Sequence, residues 1–128
     1  MLKRYAQPLL SFGMLFWLIV VLALTMLPGR GFIMRDIAFF FGRSDLHGAA
    51  GHSALMGSLV LVLFIGLSRY TRAKYALLLT VIVVFAIGTA TEIYQSGVYG
   101  RASTLTDLLA NLIGTFAMAY LISLFTTK

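Results

Sequence analysis

Four runs of apolar residues, at roughly 8–27, 46–67, 76–95 and 105–125, decide what this chain can fold into. About 20 apolar residues in a helix cover the ~30 Å hydrocarbon core of a bilayer. Backbone in that core must satisfy its hydrogen bonds internally, which helices do. The expected fold class is therefore all-α: an integral membrane bundle of four transmembrane helices, one domain over residues 1–128. With 60% hydrophobic residues and a mean hydropathy of +0.95, a water-soluble domain of this length has nowhere to bury its apolar surface. Cysteine is absent, which removes disulfides and thiolate metal sites.

The first run follows Lys3 and Arg4 and ends at Pro28-Gly29 without a small-x-small cleavage pattern. It is longer than a signal-peptide core, so it reads as a retained span. Pro8 suits a first helical turn, where its missing N–H is not needed. Ser11 and Thr25 can bond back to their own helix. The connector 29–46 mixes Phe32, Ile33, Ile37, Phe39, Phe40 and Phe41 with Arg30, Arg35, Asp36 and Arg43. It reads as an interfacial segment between helices 1 and 2, with a short helix over 33–41, or as a lid over a site.

The second span has Asp45 or Ser44 as a cap and a first half rich in small residues: Gly48, Ala49, Ala50, Gly51, Ser53, Ala54, Gly57 and Ser58. Small residues let helices approach closely in lipid. Its second half, 59–67, is bulky and is expected to face lipid. A short basic loop with Arg69, Arg72 and Lys74 follows. The third span opens on a smooth apolar stretch, 77–85, and closes on Glu92 and Gln95. The fourth has Ser103 or Thr104 as a cap and carries Asp107 and Asn111 in its first two turns.

In a four-span arrangement Lys3, Arg4, Arg69, Arg72, Lys74 and Lys128 share one side, and Arg30, Arg35, Arg43 and Arg101 the other, so six cations face four. The positive-inside rule then puts both termini in the cytoplasm. The charge sits at span ends, with no aromatic-interleaved basic patch, so nucleic acid is not an expected partner. On this topology His47, His52, Glu92, Gln95, Arg101, Asp107 and Asn111 all gather at the outer leaflet. Polar groups at such depth are costly and need partners or a function. Glu92 and Gln95 are spaced i,i+3. Asp107, Asn111 and Gly114 form one stripe at i, i+4 and i+7. His47 and His52 lie about 140° apart around a helix, so they do not share a face. His52 is the deeper of the two. Arg101 is the expected partner of Glu92 or Asp107.

The string Glu92-Ile-Tyr-Gln95, then Arg101 in the loop, then Asp107-x-x-x-Asn111-x-x-Gly114, resembles the signature of the VanZ-like membrane protein family. The likeness covers about residues 45–118, with His52 matching that family's upstream histidine. The pattern departs at Gly48 and Ser53, where the family often has D-K-x-x-H-F; His47 and Asp45 stay open as substitutes. The resemblance implies a bacterial inner-membrane protein. It also implies a link to low-level resistance to the glycopeptide teicoplanin, the association of the family's founding member.

Three uses of these residues remain open at this point. His52, Glu92, Gln95, Arg101, Asp107 and Asn111 are candidates for binding the head group of a membrane lipid, a cell-wall precursor or a lipoglycopeptide. Arg101 would grip phosphate or carboxylate as a fork. His52, Glu92 and Asp107 are candidates for acid–base catalysis on a lipid-linked substrate. No metal-ligand spacing or nucleophile motif is present, so no metal and no cofactor are expected. The same side chains could instead stitch helices together with no ligand. Transport would need a polar path through the smooth inner halves of the spans, or an oligomer.

Overall fold

The computed structural model describes residues 2–26, 45–97 and 105–126, with side chains from 8, 48 and 105 onward in those segments. Among the described residues the fold is all-helical, with no strand. Helix α1 spans Leu2–Met26, α2 Asp45–Leu67, α3 Ala73–Ser96 and α4 Leu105–Thr126. Each holds a stretch long and apolar enough to cross a membrane: Pro8–Met26, Gly48–Leu67, Ala73–Ser96 and Leu105–Thr126. The chain is thus a multi-pass membrane protein. The connector 29–46 lies almost wholly outside the described residues, as do the expected caps Ser44, Ser103 and Thr104.

Two boundaries differ from expectation. Helix α1 starts at Leu2, so Pro8 sits in its second turn. The proline removes one backbone donor there, while the Leu-Lys-Arg-Tyr-Ala-Gln segment before it contains no helix breaker. Helix α3 starts at Ala73, because Arg72 is extended (φ −63°, ψ 142°) and its carbonyl accepts from the N–H groups of Tyr75 and Ala76. The α2–α3 turn is tight, with Ser68 N–H on the Phe64 carbonyl and Tyr70 and Thr71 N–H on that of Leu67.

Helix α2 is the centre of the bundle and packs against the other three. The core consists of Val21 from α1, Met56, Leu59, Val60 and Leu63 from α2, Val84 from α3, and Ala119 and Ile122 from α4. This corrects the expectation that 59–67 faces lipid. Leu59 and Val60 have no exposed surface, whereas Leu61 and Ile65 look outward. A span that is apolar all round has no amphipathic stripe to show which side meets protein. Helix α1 is peripheral, with Leu9, Phe12, Leu15, Phe16 and Ile19 each more than half exposed. Trp17 Nε1 donates to Ser58 Oγ at 3.1 Å and ties α1 to α2.

Helices α2 and α4 cross at glycine. A Cβ on Gly114 would collide with the backbone of Ser53, and one on Gly57 would lie 3.2 Å from the Gly114 carbonyl oxygen. Ser53 Oγ donates to the Ala110 carbonyl at 2.8 Å across the same contact. The small half of α2 therefore serves close approach at Ser53 and Gly57. Gly48, Ala50, Gly51 and Ala54 are exposed among the described residues. Nor is 77–85 wholly smooth: Thr80 is fully buried, and its hydroxyl has no hydrogen-bond partner among the described residues.

Candidate functional site

Helices α2 and α4 begin, and α1 and α3 end, at one face of the bundle. Glu92 lies about 6 Å below that face, Asn111 about 9 Å and His52 about 10 Å, at ~1.5 Å rise per residue from the helix end. The antiparallel order therefore brings three helices' polar residues to similar depth. Gly88, one turn from Glu92 on the same face of α3, makes room for the contact. A Cβ there would stand 3.4 Å from Asn111 Cβ and 3.6 Å from its Nδ2.

Asn111 joins the other two. Its Nδ2 donates to Glu92 Oε1 at 3.2 Å, and its Oδ1 stands 3.1 Å from His52 Nδ1. A carboxylate oxygen accepts, so the amide nitrogen faces Glu92 and the amide oxygen faces His52. His52 then carries its proton on Nδ1 and donates it to Asn111. The imidazole Nε2 has no described partner. His52 Nδ1 is also 3.8 Å from Glu92 Oε1, within ion-pair range if the ring is protonated. Asn111 and Glu92 are 3% and 5% exposed, while the His52 side chain keeps 16% of its surface open. Threonines flank the site without competing for it. Thr91 bonds back to the Gly88 carbonyl and Thr115 to that of Asn111.

Gln95 shares the buried face with Glu92 but points to another helix. Its Nε2 donates to the Thr25 carbonyl oxygen. That carbonyl lies in the last described turn of α1. Gln95 thus ties the end of α1 to α3 and stands apart from the three-residue contact. Asp107 occupies the first turn of α4, one turn above Asn111 and partly exposed. An acidic side chain there complements the helix dipole. Arg101 lies outside the described residues, as does the side chain of His47, so the expected Arg101 pairing has no geometry here.

Ser53, Gly57 and Gly88 hold the site together and were not among the expected site residues. Gly88 was within reach of spacing alone, since it is i−4 from Glu92. The crevice beside Asn111, between α3 and α4, is lined by Val84, Gly88, Leu108 and Thr115 and is too narrow for a water molecule. Among the described residues no three His, Asp or Glu side chains are grouped to hold a metal ion. Chemically, the arrangement presents one histidine edge. Its tautomer is set by an amide that a carboxylate orients in turn. Such an edge accepts a hydrogen bond at Nε2. The chain matches no family model, no curated protein and no solved structure.

Proposed function

We propose that this chain is a bacterial inner-membrane protein of the VanZ-like kind, with both termini cytoplasmic, that binds a polar head group at the outer leaflet. The candidates for that group are a membrane lipid, a cell-wall precursor or a lipoglycopeptide such as teicoplanin. The observation that carries the reading is the Glu92–Asn111–His52 chain of contacts. It spans three helices, sits within about two turns of the helix ends, and leaves the His52 ring as the partly open member. A buried carboxylate is expensive in a membrane, and this one aligns an amide on a histidine. His52 makes the contact, Asn111 and Glu92 position it, Asp107 supplies charge nearer the helix end, and Arg101 is the candidate to grip an anionic group.

The test is thermal melting of the purified chain in lipid nanodiscs against a panel: phospholipids of different head groups, an undecaprenyl-linked cell-wall precursor, and teicoplanin. At least one should raise the Tm of the unaltered chain and leave His52→Ala unmoved. A panel with no shift removes this reading.

A second reading has a specific observation in its favour. Asn111 is nearly inaccessible and uses both ends of its amide on the other two residues. Three helices bonded this way form a structural cross-link, with no ligand required. It predicts a lower Tm for His52→Ala and no ligand response in either protein.

A further inference from the structure

At the opposite end of the bundle, the start of α3 and the end of α4 line a groove of about 330 Å³. That is at the small end of ligand sites, which run from ~300 to 1,000 Å³. Leu77, Leu78, Val81 and Ala119 make its walls, and Lys74 stands at its mouth. Ser123 and Thr126 also line it, but their hydroxyls donate to the Tyr120 and Ile122 carbonyls of their own helix. They add no outward donor through those bonds, and the wall stays largely apolar.

Among the described residues the charged side chains around the mouth have one sign. Arg69, Arg72 and Lys74 are all exposed in or beside the α2–α3 turn. The acidic residues of the described helices, Asp45, Glu92 and Asp107, lie at the other end of those helices. Helix α3 has no acidic residue in its first turn, and Arg72 at its N-cap makes no side-chain cap. The positive end of its dipole lies beside the negative end of α4 and is offset by it, so the three side-chain cations carry the charge of this end. Tyr75 and Tyr120 are exposed on these two helices, and the Lys74 ammonium rests 4.9 Å from the Tyr75 ring centroid. An aromatic residue that holds a lysine at a helix end marks the depth of the head groups.

We infer that this groove is a binding site for an anionic phospholipid, with an acyl chain between α3 and α4 and the phosphate against Lys74. The apolar walls fit a hydrocarbon chain. The three cations select an anionic head group over a zwitterionic one. The site is independent of the head-group reading above, since it occupies the other end of the bundle and uses none of the same residues.

Native mass spectrometry of the full chain tests it, after release from nanodiscs of equimolar phosphatidylglycerol and phosphatidylcholine with identical chains. The expected result is one retained lipid, with phosphatidylglycerol favoured about tenfold. Lys74→Glu should abolish that preference and Lys74→Arg should keep it. Ser123→Phe, which fills the groove, should abolish retention of both lipids while circular dichroism shows unchanged helicity. Equal retention of the two lipids by the unaltered chain overturns the assignment. So does a preference that survives Lys74→Glu, or undiminished retention by folded Ser123→Phe.

Discussion

Asn111 Nδ2 meets Glu92 Oε1 at 3.2 Å in a contact that is buried on both sides. The bond fixes which way the amide faces. It therefore fixes which end of Asn111 is offered to His52 on α2. One asparagine thus joins three helices and determines the protonated nitrogen of a histidine. A serine or alanine at the same place would do neither.

That dependence is measurable as coupling. His52→Ala, Asn111→Ala and the double variant should show an interaction free energy near the membrane average of about 0.6 kcal/mol, with ~1.7 as the upper range. Glu92→Gln keeps an acceptor facing Asn111 and should leave the coupling in place. Glu92→Leu removes that acceptor and should weaken it. Reversible unfolding in mixed micelles gives all of these values. Additive single variants would show that the contact is incidental.

The α2–α4 crossing predicts an order among glycines. Gly114→Ala forces backbone apart and should cost about 1–3 kcal/mol, the usual range for overpacking. Gly57→Ala meets a carbonyl at 3.2 Å and should cost less. Gly51→Ala meets no described atom within 4 Å and should be neutral, or stabilising by up to ~1 kcal/mol through helix propensity. The same unfolding assay ranks the three. A Gly51 variant as damaging as the Gly114 variant would contradict this packing.

Hydropathy located all four spans, because length and apolarity are what a bilayer selects for. Up-down topology also gathered Glu92, Asn111 and His52 at one end of the bundle, together with His47, Gln95, Arg101 and Asp107. Helix rotation was less legible. Leu59, Val60 and Leu63 resemble Leu61 and Ile65 in hydropathy, and only the arrival of α1, α3 and α4 around α2 separates core from lipid-facing residues. Gln95 was grouped with Glu92 by its i,i+3 spacing. Its partner turned out to be a carbonyl 70 positions away, at the end of α1. No spacing rule in the sequence pairs a side chain with a backbone carbonyl of a distant helix.

Thr80 offers a case where removing polarity should help. Its hydroxyl is buried with no hydrogen-bond partner among the described residues. Valine has nearly the same shape without the hydroxyl. An unsatisfied buried group costs roughly 1–3 kcal/mol, so Thr80→Val should stabilise the bundle by about 1 kcal/mol. Thr80→Ser keeps the hydroxyl and loses a methyl, and should destabilise it. A destabilised Thr80→Val would mean that the hydroxyl has a partner, such as a bound water.

Gln95 provides the last test, because it separates anchoring of α1 from the Glu92 contact only one turn away. Its amide donates to the Thr25 carbonyl, while the Thr25 hydroxyl already bonds back to the Val21 carbonyl. Gln95→Glu replaces the donor with an acceptor. Facing a carbonyl oxygen, it should be worse than Gln95→Met, which is close in volume and neutral. The loss should fall on α1, the helix with the least buried surface. Hydrogen exchange should therefore rise over 20–26 in both variants, more in Gln95→Glu, with little change at 108–115 on α4. Protection lost equally on α1 and α4 would mean that Gln95 and Glu92 act as one unit, and that the α1 tie and the site cannot be varied separately.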